Sequence, residues 1–248
     1  MTPIIVYTHS DYGFIWPATI GLLQKYASEF DIYWIADKPT APVPPTWKVL
    51  LYDDSLCYTD RVKSVIHSIE CEYAIFLHED WIPIAKIEPS RIDEMISLMK
   101  QHSSQYLVSY SPHLIYDGNF GGYQLDTPYP DYMLYKHRFA VMQPAVWKFS
   151  ALCGLFDLKL PNASRCEVEG SEYTRHLNCF GIQNKHTLYS RHTTNSFFFP
   201  HYHAVVQGGW TFAKYPNLEG LLRSYGIDTT QRGVFRYFLT AATEPYVH

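Results

Sequence analysis

The residues of this chain that can do chemistry gather in a few short runs. The first is His78-Glu79-Asp80, which closes the apolar stretch Tyr73-Ala74-Ile75-Phe76-Leu77. If the strand continues through it, His78 and Asp80 point one way and Glu79 the other. Imidazole and carboxylate at a strand tip can hold a divalent ion. Oxygen ligands suit Mg²⁺ or Mn²⁺, which share their coordination with substrate phosphates instead of being caged by protein. The same residues read equally well as a solvated polar strand end. A second run is His201-Tyr202-His203, whose two rings face one side of a strand, one of them expected to be a core or rim histidine bonded to backbone. Three more apolar runs also end in polar residues: Thr8-His9-Ser10-Asp11, Asp37-Lys38 and Asp53-Asp54-Ser55.

The elements that must position these residues follow from periodicity. Runs 3–8, 31–36, 47–52 and 72–77 are short and almost wholly apolar, as strands buried on both faces are. Helical spacing fills 12–30 and 60–69, and the loop with Pro39, Pro42, Pro44 and Pro45 admits neither helix nor central strand. Strands alternating with helices predict a parallel sheet covered on both faces, with ligands beyond the carboxyl ends of its strands. Four polar strand ends in succession therefore predict an active-site rim. Further on, the pattern predicts helices at 89–102, 144–156, 169–179, 218–225 and 230–240. It predicts extended chain at 105–111, 132–142 and 197–210, and a Gly-, Pro- and Asp-rich loop at 117–131. No repeat or linker interrupts the chain, so one domain is expected: a nucleotide-binding half, 1–111, and an acceptor-binding half with a C-terminal tail, 112–248.

Composition excludes several classes. At 248 residues the chain can bury one sizeable core, and 47% hydrophobic against 18% charged residues rules out a disordered chain. Twenty Lys+Arg against twenty-four Asp+Glu leave a net charge of −4, so no nucleic-acid partner is expected. No apolar run is long enough to span a bilayer, and the start has no basic signal-peptide region. Five scattered cysteines without a CxxC pair fit reduced thiols, and a cytoplasmic protein is expected. The forty-one aromatic residues suit stacking on sugars and bases, but composition alone favours their packing a core.

The order YAIFLHEDW after a βαβαβ unit resembles GT-A-type nucleotide-sugar-dependent glycosyltransferases, of the small kind in bacterial surface-polysaccharide clusters and large DNA viruses. Met142-Gln143-Pro144-Ala145-Val146-Trp147-Lys148, Glu167-Val168-Glu169-Gly170-Ser171 and His203-Ala204-Val205-Val206-Gln207-Gly208-Gly209-Trp210 are similar to three further segments of that group, in the same order. The chain departs from it at His78, where a strict DxD motif has Asp. The resemblance implies a GT-A-like Rossmann-type α/β fold with a mixed sheet, parallel in the N-terminal half, and helices on both faces.

It also implies a metal-dependent transfer of sugar from a nucleotide-diphosphate donor, a UDP-sugar by default, to a hydroxyl of a glycan or glycoprotein. Asp80 with Glu79 would hold Mn²⁺ or Mg²⁺ against the diphosphate, and His203 would be a further ligand. Thr8, His9, Asp37, Arg61, His78 and Glu79 would line the nucleotide, with Tyr7 or Tyr58 able to stack; Thr8, His9, Asp37 and Arg61 each read equally as a cap or a surface charge. An inverting reaction needs a base on the acceptor, for which Glu169 is the first candidate, then Glu167 and Glu172. The aromatic and glycine residues of 117–131 and Trp147 would form the acceptor side. A metal-dependent carbohydrate hydrolase or deacetylase is the competing enzyme class, but the sequence has no HExxH, HxHxDH or GxSxG. A non-catalytic nucleotide- or carbohydrate-binding module is the other alternative.

Overall fold

A computed structural model describes residues 1–109, 124–125, 127–137, 142–184 and 196–235. The strands of the first half are β1 (Ile4–Tyr7), β2 (Ile32–Ala36), β3 (Lys48–Leu51) and β4 (Tyr73–His78). Helices α1 (Trp16–Tyr26) and α2 (Tyr58–Ile66) lie between them, and the proline-rich loop joins β2 to β3 without a helix. After the short strand β5 (Trp81–Pro83) come α3 (Pro89–Gln101), β6 (Tyr106–Ser109), β7 (Gln124–Leu125), β8 (Tyr132–His137) and β9 (Ala145–Lys148). The remaining elements are α4 (Phe149–Phe156), α5 (Ala163–Arg175), β10 (Cys179–Asn184), β11 (His201–His203), β12 (Val205–Val206), β13 (Gly209–Trp210) and α6 (Leu218–Ser224).

Nine strands form one sheet in the order β3-β2-β1-β4-β9-β6-β10-β8-β7. The first four run parallel, β9 is antiparallel to both β4 and β6, and β10 is parallel to β6. This is the GT-A-like, Rossmann-type α/β class expected, parallel in its N-terminal half. Alternation along each strand divides the buried side chains between two cores. Ile4, Val6, Trp34, Ile75 and Leu77 pack with α1 and α3, while Ile5, Tyr7, Ile35, Ala74 and Phe76 pack with α2 and α4. Helices therefore cover both faces, and the strand tips carry the polar residues.

One difference from expectation lies in the first half: β3 is the edge strand of the sheet, with Val49 and Leu51 exposed, and is not buried on both faces. The others lie in the second half. The stretch 144–156 is not one helix: Ala145-Val146-Trp147 is buried on both sides as β9, and the helix begins only at Phe149. Local helical spacing was outweighed by ladder pairing to β4 and β6. Helix α5 starts at Ala163, because the Asn162 side chain accepts the Arg165 N–H, and residues 179–184 are a strand. The expected tail helix at 230–240 is absent from its described part, where Val234 bridges Trp210 instead. Trp147 is 1% exposed and packs its ring 4.1 Å from that of Tyr106, so it is a core residue and offers no acceptor platform. Most of the expected acceptor loop, 117–123 and 126, lies outside the described residues.

Candidate active site

Strand β4 ends at His78 and does not carry on to Asp80; Glu79 and Asp80 form a turn that leads back into β5. The alternation expected across His78-Glu79-Asp80 is thus replaced by a corner. Its backbone is held from three sides. The Glu79 N–H donates to Tyr7 O at 3.2 Å, the Thr19 hydroxyl donates to Glu79 O at 2.7 Å, and the Ala204 N–H donates to Asp80 O at 2.7 Å. The last bond comes from β11, whose antiparallel register with β5 sets His203 opposite Trp81.

That register makes the central contact. The His203 ring stacks on Trp81 at 3.8 Å between centroids and 15° between planes, which brings its Nε2 to 3.1 Å from Asp80 Oδ2. The other oxygen, Asp80 Oδ1, is buried and has no hydrogen-bond partner. A buried carboxylate oxygen left unmatched calls for a water or an ion as its partner. The oxygen and nitrogen donors of Asp80 and His203 fit a divalent ion as two protein ligands. Among the described residues no third side chain completes a three-ligand group with them. His201, two residues earlier, is 5% exposed, bonds through Nδ1 with Phe199 O and meets Trp81 edge-on. Burial pushes its pKa down to about 4. It is the backbone-bonded core histidine of the pair.

His78 faces the α2 side, where its Nε2 lies 2.8 Å from the Tyr58 hydroxyl. Burial pushes its pKa down to about 4 although the Asp80 carboxylate opposes the shift, so the imidazole is neutral. Glu79 is 5% exposed; burial, reinforced by Asp80, raises its pKa well above the usual carboxylate range. Tyr7 and Tyr58 are buried against each other, at 5.0 Å between rings, and neither has a face open to a base.

Of the three candidate bases, the helix brings one to this corner. All three lie on α5, where steps of two and five residues turn about 200° and 140° around the axis, so they cannot share a face. Glu167 Oε1 accepts the Met142 N–H at 2.9 Å. Although the residue is exposed as a whole, burial of its carboxyl end raises its pKa, against the Met142 bond, and it lies in the field of both His203 and Asp80. Glu169 pairs with Arg165, and Glu172 with Arg175 at 2.7 Å, both along the helix surface. The Met142 sulfur also accepts the Tyr58 hydroxyl at 3.4 Å, linking Glu167 to the His78 side of the pocket.

The ends of β1, β2 and β3 form a separate ledge. The Asp37 carboxylate accepts the Ser10 N–H at 2.7 Å and the Ser10 hydroxyl at 2.5 Å. Burial pulls its pKa upward, but the Ser10 bonds outweigh this and hold it below the usual range. His9 Nε2 lies 2.7 Å from Asp54, which also meets Arg61 at 2.8 Å. The ligand atoms of His9, Asp37 and Asp54 fall within 4.8 Å of one another. Thr8 is fully buried and its hydroxyl has no partner. Asp54, Ser10 and Tyr12 were not singled out from sequence. Their signal was only position after an apolar run, shared with many surface residues.

No protein-family profile and no curated protein matches the chain. Among solved structures it is similar to S. aureus TarS, at 12% identity over 75% of this chain and 36% of that one, TM-score 0.46. S. aureus TarS 1-349 in complex with UDP-GlcNAc gives 13% identity over 74% of this chain and 58% of that one, TM-score 0.46. A cytidylyltransferase from Leptospira borgpetersenii gives 11% identity over 95% and 99%, TM-score 0.47. The chain spans only about a third of the full TarS structure and less than two thirds of the shorter one.

Proposed function

We propose that this chain is a metal-dependent glycosyltransferase that moves a sugar from a nucleotide-diphosphate donor, a UDP-sugar first among them, to a hydroxyl of a glycan or glycoprotein. The observation that carries the reading is the Asp80–His203 pair at the β4–β5 corner, with Asp80 Oδ1 buried and unmatched. Asp80 and His203 would hold Mn²⁺ or Mg²⁺. Bound there, the ion supplies Lewis-acid neutralisation of charge on a departing diphosphate. Trp81 fixes the plane of His203, and neutral His78 adds no charge to the donor side. The ledge of His9, Asp37 and Arg61 receives the nucleoside, with the Asp37 carboxylate accepting hydrogen bonds from its hydroxyls; Thr8 is fully buried and cannot touch it.

Glu167 is the base of choice. Its carboxylate takes the proton of the acceptor hydroxyl as that oxygen bonds the anomeric carbon and the bond to the donor diphosphate breaks, with inversion. A carboxylate raised toward neutrality is a stronger base for this step than an exposed one. Five free cysteines suit a cytoplasmic setting, and among the described residues no helix is long and apolar enough to cross a membrane.

The test is donor hydrolysis and transfer across a panel of UDP- and GDP-sugars with Mn²⁺, comparing the native chain with Asp80→Ala and His203→Ala. Expected is activity in the native chain, a loss of at least about 10²-fold in Asp80→Ala, and a raised metal requirement in His203→Ala. Undiminished turnover in Asp80→Ala would sink the reading. Nucleotide binding without any turnover would instead favour the binding-module alternative.

A further inference from the structure

Arg232 differs from the other arginines. Among the described residues Arg61, Arg91, Arg165, Arg175 and Arg223 each lie against a carboxylate, and Arg232 against none. Its guanidinium is centred 3.8 Å from the Phe14 ring and 5.8 Å from that of Tyr12. It gives long N–H bonds to the carbonyls of Gly208, at 3.4 Å, and Asp11, at 3.3 Å. A part-buried guanidinium held by ring faces and carbonyls keeps its full charge and most of its donors for another anion.

The backbone ties the segment that carries that charge to the Asp80 corner through a relay of hydrogen bonds. After α6 the chain turns at Gly226 (φ 74°) and returns as a strap along β13. The Trp210 N–H donates to Gly233 O at 2.9 Å, and the Phe235 N–H donates to Trp210 O at 2.8 Å. Gly209 permits this approach, since a Cβ there would stand 2.9 Å from Phe235 N. From β13 the bonds lead inward: Thr211 N–H to Ala204 O, and Ala204 N–H to Asp80 O. On the other side, Asp11 and Tyr12 belong to the turn after β1, whose Tyr7 is in register with His78. The strap therefore joins the β1 and β4 strand ends, 221 residues apart between Asp11 and Arg232. Burial, and then the Asp80 and Glu79 carboxylates, raise the Tyr12 phenol pKa, while Arg232 opposes the rise.

We propose that Arg232 binds the diphosphate of the donor, its planar fork engaging phosphate oxygens at the rim of the Asp80 pocket. The inference rests on the nucleotide-sugar reading above and adds a binding residue to it. The other arginine near the strand ends, Arg61 on the ledge, is already paired with Asp54. An arginine suits the role because its fork matches phosphate geometry.

Titration of the full chain with UDP, GDP and uridine in the presence of Mn²⁺ tests it, using the native protein, Arg232→Gln and Arg232→Met. The Met variant keeps an apolar stem on Phe14 if the Gln variant folds poorly. Expected is an affinity for the diphosphate that falls about 10- to 100-fold in both variants, with uridine binding unchanged. Native-like diphosphate affinity in either variant overturns the role of Arg232 and leaves the nucleotide-sugar reading intact. Equal losses for diphosphate and uridine also overturn it, since they mark a strap that only supports the pocket. A native chain that binds neither UDP nor GDP overturns the nucleotide-sugar reading itself.

Discussion

Glu167, Glu169 and Glu172 occupy one helix and meet two different environments. A rotation of about 100° per residue separates a carboxyl anchored on the Met142 N–H beside Asp80 and His203 from two that pair with arginines in solvent. The resemblance put an acid in this segment without settling which, and Glu169 was the first choice; Asn162 caps the helix six residues earlier than expected. Glu167→Gln is expected to lower kcat by about 10²–10⁴-fold with little change in donor KM. Glu169→Gln removes only an exposed i,i+4 pair, worth about 0.3–0.5 kcal/mol, so its kcat should stay within about twofold of native. Steady-state kinetics of the two variants decide between them, and equal losses would end the assignment to Glu167. The buried His78 was legible as a strand-end residue, but not as a neutral ring held by Tyr58.

The element that most changes the picture is β9. Its four residues insert between β4 and β6, so the sheet interleaves the two halves of the chain and does not set them side by side. Trp147 is fully buried within it, and Trp147→Ala should cost about 3–5 kcal/mol of stability by urea unfolding. A cost below about 1 kcal/mol, with a raised acceptor KM, would restore its expected place on the acceptor side. The loop after β13 carries a different kind of strain. Burial pushes the Lys214 pKa down to about 8 from its ordinary 10.5. Below pH 8 both folded and unfolded chains hold the proton, and the folded state bears the desolvation cost in full. Between about pH 8 and 10.5 the unfolded chain binds more protons, so stability rises with pH. Lys214→Met should therefore remove that rise. Thermal melts in which the variant gains stability between about pH 8 and 10.5 as steeply as the native protein would end the assignment to Lys214.

At the scale of the whole molecule, the corner, the ledge and the strap draw on residues from His9 to Arg232, so a ligand bridging them ties the termini of the described chain to its centre. A nucleoside diphosphate with Mn²⁺ at about a hundred times its dissociation constant adds about 2.7 kcal/mol to folding. For a chain of this size that corresponds to a rise in Tm of about 5–10 °C. Differential scanning with UDP, GDP, Mn²⁺ and the combinations should show the full shift only with both nucleotide and metal. A shift with metal alone, and none added by nucleotide, would instead fit the carbohydrate hydrolase class.

The sequence by itself determined the two-faced strands, the helices that cover them and the polar character of the strand tips. These are properties of neighbouring residues: apolar runs of four to six favour burial on both sides, as in β1, β2 and β4, although β3 is left exposed at the sheet edge, and the next residue is then delivered to the rim. Tertiary structure alone decided that β9 is a strand, that Glu167 and not Glu169 reaches the corner, and that Trp81 orients His203 toward Asp80. It also set Arg232, which among the described residues meets no carboxylate, against Asp11 O in the turn after β1. Each of these depends on ladder register or a contact between residues far apart in the chain, 123 positions for Asp80 and His203. Local periodicity carries no information about which distant strand will supply the partner, because that choice is made by competition among all the buried surfaces at once.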